Sequence, residues 1–200
     1  MTSSEKFRVV IADPPWFYRQ GGRGASENHY PPLPIGELCN IPVKDVVADT
    51  AVLYLWSTNP MIEEALRLLK AWGFSYKTKF PWLKVKNDGM VQMGMGMWVR
   101  GCSEDIIIAV RGKAKPPSQV MLGLLEDAAV LEAQRYEHSQ KPDSIHILAE
   151  KLPGPYLELF GVRNRPGWEV LGWEVDNMDI RLSLNLLKLK LGVEMNVGNE

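Results

Sequence analysis

Cysteine is scarce in this 200-residue chain: Cys39 and Cys102 are the two present, far apart and outside any CxxC pair. That argues against a disulfide framework or a zinc site, and buried free thiols are the expectation. No apolar run approaches the roughly 20 residues that cross a bilayer. The opening MTSSEKF is short and polar, unlike a secretory leader. An intracellular protein with no membrane or metal attachment is expected. The net charge is −1, from 23 basic and 24 acidic residues. So even a balance is not the basic footprint of a strong autonomous nucleic-acid binder, although it leaves room for local basic patches. Internal repeats and domain linkers are missing too. What is there, 46% hydrophobic and 24% charged residues, is the make-up of one globular domain with a substantial core.

The pattern inside that domain alternates. RVVIADPP is a continuous apolar run of the kind buried parallel strands show, and AVLYLWS at 51–57 is a second. TNPMIEEALRLLKAWGF then changes period: Ile62, Ala65, Leu66, Leu69 and Trp72 share a helical face. Asn59 is the expected N-cap there, with Pro60 at the first helical position and Gly73 as the stop. YKTKFPWLKV reads as a strand kinked at Pro81, EDIIIAVRG as a buried strand, and AAVLEAQR as a short one. KPDSIHILAEKL reads as a helix, and PYLELFGV and WEVLGWEV as closing strands. Strands alternating with helices imply an α/β domain with a mostly parallel sheet. Residues 17–50 and 85–103 carry little pattern and are read as flaps.

In such sheets ligands bind beyond the carboxyl ends of strands. Asp13-Pro14-Pro15-Trp16 lies at one such end. Proline cannot donate a backbone hydrogen bond and fixes its own φ. The stop is therefore rigid, with two carbonyls expected to point outward free of competing N–H groups. Asp13 adds an anionic acceptor, and Trp16 either adds a flat stacking surface or packs in the core. Acceptors beside an aromatic plane suit a planar ligand that carries an amino group. The exocyclic amino group of adenine fits. Its lone pair is delocalised into the ring, and acceptors on its hydrogens make it a better nucleophile and stabilise the charge that develops.

ADPPW resembles the signature of the adenine N6-methyltransferase family that includes the catalytic subunit of the messenger-RNA methyltransferase and many bacterial and phage DNA methyltransferases. LYLWSTN, LLKAWGFSYKTKFPWLK, GMGMWVRGCSEDIIIAVRG, EHSQKPD and YLELFGVRNRPGW continue the resemblance in family order over roughly residues 8–175. It implies a circularly permuted, Rossmann-like class I methyltransferase fold, three-layered, with S-adenosylmethionine as cofactor. Lys141 then matches the family lysine near the cofactor's methionine carboxylate, with His138 and Ser139 beside it. Glu158 and Phe160 lie on the cofactor strand, and Arg163 and Asn164 occupy the loop that faces the ribose in relatives. Many relatives carry Gly-Asn-Glu or Gly-Asn-Gln after the next strand. Here the segment is Gly172-Trp173-Glu174, in which Glu174 can accept from ribose hydroxyls and Trp173 cannot copy the asparagine. The upstream segment that contacts the cofactor adenine in the eukaryotic enzyme has no counterpart in the twelve residues before Asp13.

Tyr30 sits where relatives carry a tyrosine close to the target base, and Trp98 lies in the second flap. Either can stack on an extruded or unpaired adenine, or simply anchor its loop. Arg19, Arg23, Lys77, Lys79, Lys84, Lys86, Arg100, Arg111, Lys113 and Lys115 are candidates for phosphate contacts. Residues 1–176 form the expected methyltransferase domain. The remainder, 177–200, is a C-terminal extension in which IRLSLNLLKLKLGV fits a strand or an amphipathic helix, and an oligomerisation or docking role is open to it. The expected activity is methyl transfer to the amino group of adenine in nucleic acid, DNA slightly ahead of RNA, by a homodimer or with a partner subunit. A binding subunit of the same fold and a methyltransferase for a small amino-bearing molecule are the alternatives.

Overall fold

The computed structural model describes residues 5–18, 32–86, 88–94, 96, 98–116, 131–134 and 141–193. Seven strands form one sheet in the order β5-β3-β4-β2-β1-β6-β7. They are β1 Phe7–Ala12, β2 Val47–Ser57, β3 Ser75–Val85, β4 Ser103–Arg111, β5 Leu131–Gln134, β6 Tyr156–Leu159 and β7 Trp168–Leu171. β4 runs antiparallel to both of its neighbours, and every other pairing is parallel. Six strands therefore point one way and β4 the other. The helices are α1 Ile35–Asn40, α2 Val43–Val46, α3 Ile62–Ala71, α4 Ser144–Ala149, α5 Trp173–Asp176 and α6 Ile180–Lys190.

Alternation along the strands builds three layers. Val10 and Ala12 of β1, with Leu53 and Leu55 of β2, pack beneath α1, α2, α3 and α6. Val9, Ile11, Tyr54 and Trp56 face the other way, against Ile145, Leu148 and Ala149 of α4. Side chains pointing alternately up and down a strand give each face its own core. β-Branched and aromatic residues fill the central strands because both faces are covered.

Several local expectations change. Asn59 lies inside a 3₁₀ turn, Asn59–Met61, rather than capping α3, and Met61 N–H donates to the Thr58 carbonyl at 2.9 Å. The β3–β4 register runs unbroken through Pro81 and slips instead between Tyr76 and Thr78. Proline is tolerated because β5 joins β3 only from Trp82 onward. Residues 17–50 are not one flap, since α1 and α2 lie within them and β2 begins at Val47. WEVLGWEV is not one strand: β7 ends at Leu171, and α5 starts after Gly172.

Within the extension, Ile180–Lys190 forms helix α6. Ile180, Leu184 and Leu187 enter the same core as β1 and α3. Lys188 bonds Asp45 at 2.8 Å, and Arg181 bonds Glu37 at 3.1 Å. Leu182, Leu186 and Leu189 form its solvent face. Among the described residues no helix is long and apolar enough to cross a membrane.

Candidate active site

The strand directions decide which loops meet. The carboxyl ends of β1, β2, β3, β5, β6 and β7 share one sheet edge with the amino end of β4. Asp13-Pro14-Pro15-Trp16 follows β1 there, the flap at 86–102 joins β3 to β4 there, and the loops after β6 and β7 open there. Arg111 ends β4 and Lys113 follows it, so both sit on the opposite edge, as does Lys77 near the start of β3. All three leave the phosphate-contact candidates, Arg111 and Lys113 because β4 runs against the sheet, a reversal that apolar periodicity does not reveal. Lys79 is paired with Asp105 at 2.7 Å.

At the end of β1, the Lys141 ammonium donates to Asp13 Oδ2 at 2.7 Å and lies 3.3 Å from Glu104 Oε2. Lys84 binds the other oxygen of Glu104. Lys141 also stands over the Trp56 ring and Lys84 over the Trp82 ring, 5.4 and 5.1 Å from the centroids. The result is an alternating row of charges, Lys84, Glu104, Lys141 and Asp13, lying against two buried indoles. Burial pushes the Asp13 carboxyl above the ordinary aspartate value. Lys141 opposes that shift, and Glu104 and Glu158 reinforce it. Burial acts the same way on Glu104, but there the two lysines win and its pKa falls below the usual range.

Two cavities open on this edge. The polar one is lined by Asp13, Trp56, Lys141, Asp143, His146, Glu158, Arg163 and Arg165. His146 Nε2 lies 2.9 Å from Glu158 Oε2. Asp143 receives both Arg163 and Arg165, and the pair holds its pKa down although burial works against them. The apolar groove is lined by Pro15, Leu33, Trp173, Glu174, Met178, Asp179 and Ile180. Phe160, Gly161 and Val162 line both cavities and so form the ridge between them. Phe160 has φ 64°, a strained value for a bulky residue and one that clusters at functional sites. Counting their open mouths, the groove holds about 510 Å³ and the polar pocket about 470 Å³.

The expected site residues come together unevenly. Asp13, Lys141, Glu158, Phe160, Arg163 and Glu174 all line the cleft. Asn164 is exposed and lines neither cavity. Arg165 lines the polar one instead, one residue further along a loop that is short and bent back onto Asp143. Neither proline carbonyl is free of a backbone donor: Pro14 accepts from Trp16 N–H at 2.9 Å and Pro15 from Leu33 N–H at 2.8 Å. A carbonyl has two lone pairs, so each retains capacity for a second donor. Trp16 is 7% exposed and belongs to the core, so it offers no stacking face. Its indole packs beneath the turn after β1, and its N–H is buried without a hydrogen-bond partner among the described residues. Trp98 is the reverse, 97% exposed, and does not anchor its flap. Tyr30, His138, Ser139, Arg19 and Arg23 lie outside the described residues.

Glu104, His146, Asp143, Arg165 and Tyr18 are participants that the sequence reading passed over. Tyr18 bonds Thr58 Oγ1 at 2.8 Å, and burial raises its phenol pKa, with Glu104 and Asp13 adding to that shift. The charged residue opening a buried strand, Glu104 before DIIIAV, was the one available signal.

The family model described as MT-A70 matches residues 7–174. The chain belongs to the MT-A70 family. It is similar to the type II methyltransferase M.MunI of Mycoplasma sp, 29% identical over 89% of this chain and 82% of that protein. It is similar to the human N(6)-adenosine-methyltransferase catalytic subunit METTL3, 31% identical over 88% of this chain and 29% of METTL3. Human METTL4, an N(6)-adenine-specific methyltransferase, is 27% identical over 84% of this chain and 37% of its own length. The chain thus spans most of the mycoplasma protein but about a third of the human ones. The family is one of S-adenosylmethionine-dependent adenine N6-methyltransferases with a Rossmann-like α/β fold, so the expected enzyme class and fold class both stand.

Proposed function

We propose that this chain methylates the exocyclic amino group of adenine in nucleic acid, DNA slightly ahead of RNA. The observation that carries the reading is Asp13, held at the end of the central strand between a cationic partner and a cleft with one charged and one apolar half. That division fits S-adenosylmethionine, a zwitterionic amino acid joined to a nucleoside. Lys141, Arg163 and Arg165 would face its carboxylate, with Asp13 and Glu158 available to its ammonium. Phe160, Trp173 and Glu174 would hold the adenosine. Bound there, the cofactor supplies an electron-poor methyl group on a sulfonium.

The chain's own part is positioning and acceptance. Lys141 takes Asp13 Oδ2 and fixes the carboxylate, leaving Oδ1 to accept a hydrogen of the adenine amino group. The Pro14 carbonyl accepts the other through its second lone pair. Both acceptors favour the pyramidal nitrogen and the positive charge it develops. No strong base is required: as the N–C bond forms and the methyl's bond to sulfur breaks, the amino proton becomes acidic and would pass by way of Asp13 Oδ1 to water. Tyr30 and Trp98 would contact the target base, and Lys86 and Arg100 the backbone. A second copy or a partner subunit supplies the remaining basic surface in this reading, since net charge gives no global attraction for a polyanion.

The test is methyl transfer from labelled cofactor to single- and double-stranded DNA, single- and double-stranded RNA and free adenosine, with the product identified as N6-methyladenine. Label in DNA adenine is the expected result. Transfer to free adenosine alone, or to no substrate despite cofactor binding, rejects the proposal. Light scattering with and without a duplex oligonucleotide tests the second subunit.

A further inference from the structure

The apolar groove is completed from outside the family domain. The MT-A70 match ends at residue 174, yet Met178, Asp179 and Ile180 form a wall of the groove with Pro15, Phe160 and Trp173. We infer that the C-terminal extension is a built-in part of the cofactor site, and that Met178 and Ile180 pack against the adenine of S-adenosylmethionine. The inference rests on the cofactor reading above and deepens it.

Three observations carry it. First, the wall is preformed. Asp176 accepts from Met178 N–H at 3.1 Å and from the Ser183 hydroxyl at 2.6 Å, and Asp179 caps α6 by accepting from Arg181 N–H at 2.9 Å. The turn between α5 and α6 is thereby held at both ends, with Asn177 in the left-handed region at φ 54°. Second, the extension is fastened independently of any ligand, through Ile180, Leu184 and Leu187 in the core. A wall set by the core costs a ligand little ordering on binding. Third, the chemistry is divided. Cations and carboxylates line the polar cavity, whereas Pro15, Leu33, Phe160, Trp173, Met178 and Ile180 give the groove its apolar walls, with Glu174 and Asp179 the charged residues among its lining. A flat heterocycle gains from apolar faces, while the amino-acid end of the same ligand needs the charges. The Phe160–Val162 ridge is where the two ends would join.

The experiment uses the whole chain and S-adenosylhomocysteine, which lacks the reactive methyl group. Hydrogen exchange should slow at residues 178–184 when it binds, together with residues 160–172, because a ligand stabilises the elements it touches. In calorimetry Met178→Ala should bind it about tenfold more weakly, the scale of losing part of one buried apolar side chain. Protection confined to 160–172, or unchanged affinity in a folded Met178→Ala protein, overturns the inference and leaves the cofactor reading intact. If that variant does not fold, exchange in the unmutated chain decides. Failure of the unmutated chain to bind S-adenosylhomocysteine removes the cofactor reading itself, and this inference with it.

Discussion

The two halves of the cleft share a ridge and almost nothing else. In the polar half most charges are tied to opposite charges, Lys141 to Asp13 and Glu104, Glu104 to Lys84, and Asp143 to Arg163 and Arg165, while Glu158 bonds His146. In the groove, backbone meets backbone instead. A Cβ on Gly172 would sit 2.1 Å from the Gly161 carbonyl oxygen, and one on Gly161 would sit 2.4 Å from Val170 Cγ1. The first half is therefore vulnerable to changes of charge that preserve shape, and the second to changes of volume that preserve charge. Chemistry is concentrated in the first, and ligand fit in the second.

The largest effect should come from removing the acceptor. Asp13→Ala is expected to lower methyl transfer at least about 100-fold, the scale of one preorganised polar group aimed at developing charge. The fold should persist, because Asp13 lies beyond the end of β1. Turnover within a few fold of the unmutated enzyme would break the assignment of chemistry to the polar half.

Lys141→Ala should come next. Loss of its charge-assisted hydrogen bonds should weaken cofactor binding by an amount on the order of 1.5–3 kcal/mol, about 10- to 100-fold in a calorimetric titration. It should also move the pH profile. Asp13 works as the carboxylate, so the acid limb of kcat follows its protonation. Its pKa is already raised by burial, and Lys141 is the main influence pulling it down. Removing Lys141 raises it further, so the acid limb should shift to higher pH. A shift to lower pH, or none, would place Lys141 away from Asp13 in the working enzyme.

On the groove side, Gly172→Ala introduces no charge and demands no unusual φ. Its methyl group meets the fixed backbone of Gly161. Overpacking of this kind costs roughly 1–3 kcal/mol, which lowers Tm by about 2–12 °C in a chain of this size. Cofactor affinity should fall as the loops after β6 and β7 are pushed apart, while the acid limb of kcat stays in place. A displaced pH profile would mean that the two halves are not separable.

Much of this was legible because it is local. The runs RVVIA, AVLYLWS and DIIIAV are continuous apolar stretches of β-branched, aromatic and leucine residues, and all became strands of the sheet. The stop at Asp13-Pro14-Pro15 follows from what proline forbids. What was not legible is set by direction and by distance along the chain. Apolar periodicity is the same for a strand run either way, so the reversal of β4, which carries Arg111 to the far edge and Glu104 to the site, leaves no mark in it. The Lys141–Asp13 bond joins residues 128 apart, and pairing at that separation is a property of the closed sheet. Trp16 had two physically sound readings, and its fate depended on distant elements closing the core that it joins. The groove wall at Met178 was hidden for a similar reason: a leucine-rich tail shows that it must pack, but not against what.

The smallest expected effect concerns how that wall is fastened, and it separates charge from volume once more. Lys188 is 8% exposed, and its ammonium lies 2.8 Å from an Asp45 oxygen. Taken alone this looks like a lock on α6. Yet charges removed from water lose hydration that their mutual attraction only roughly repays, so a buried pair is weak evidence for stability. Asp45 keeps 30% of its side-chain exposure, so it can recover water when its partner goes. The lysine stem is apolar and unbranched, and methionine fills nearly the same space. Lys188→Met should therefore change stability by less than about 1 kcal/mol and leave S-adenosylhomocysteine affinity unaltered. Ile180, Leu184 and Leu187, buried with β1 and α3, would then be what holds the wall in place. A fall in Tm of more than about 5 °C in Lys188→Met, beyond the roughly 2–4 °C that 1 kcal/mol allows at this chain length, would instead make the ion pair the fastening. The groove would then owe its shape to charge, and its contrast with the polar half would fail.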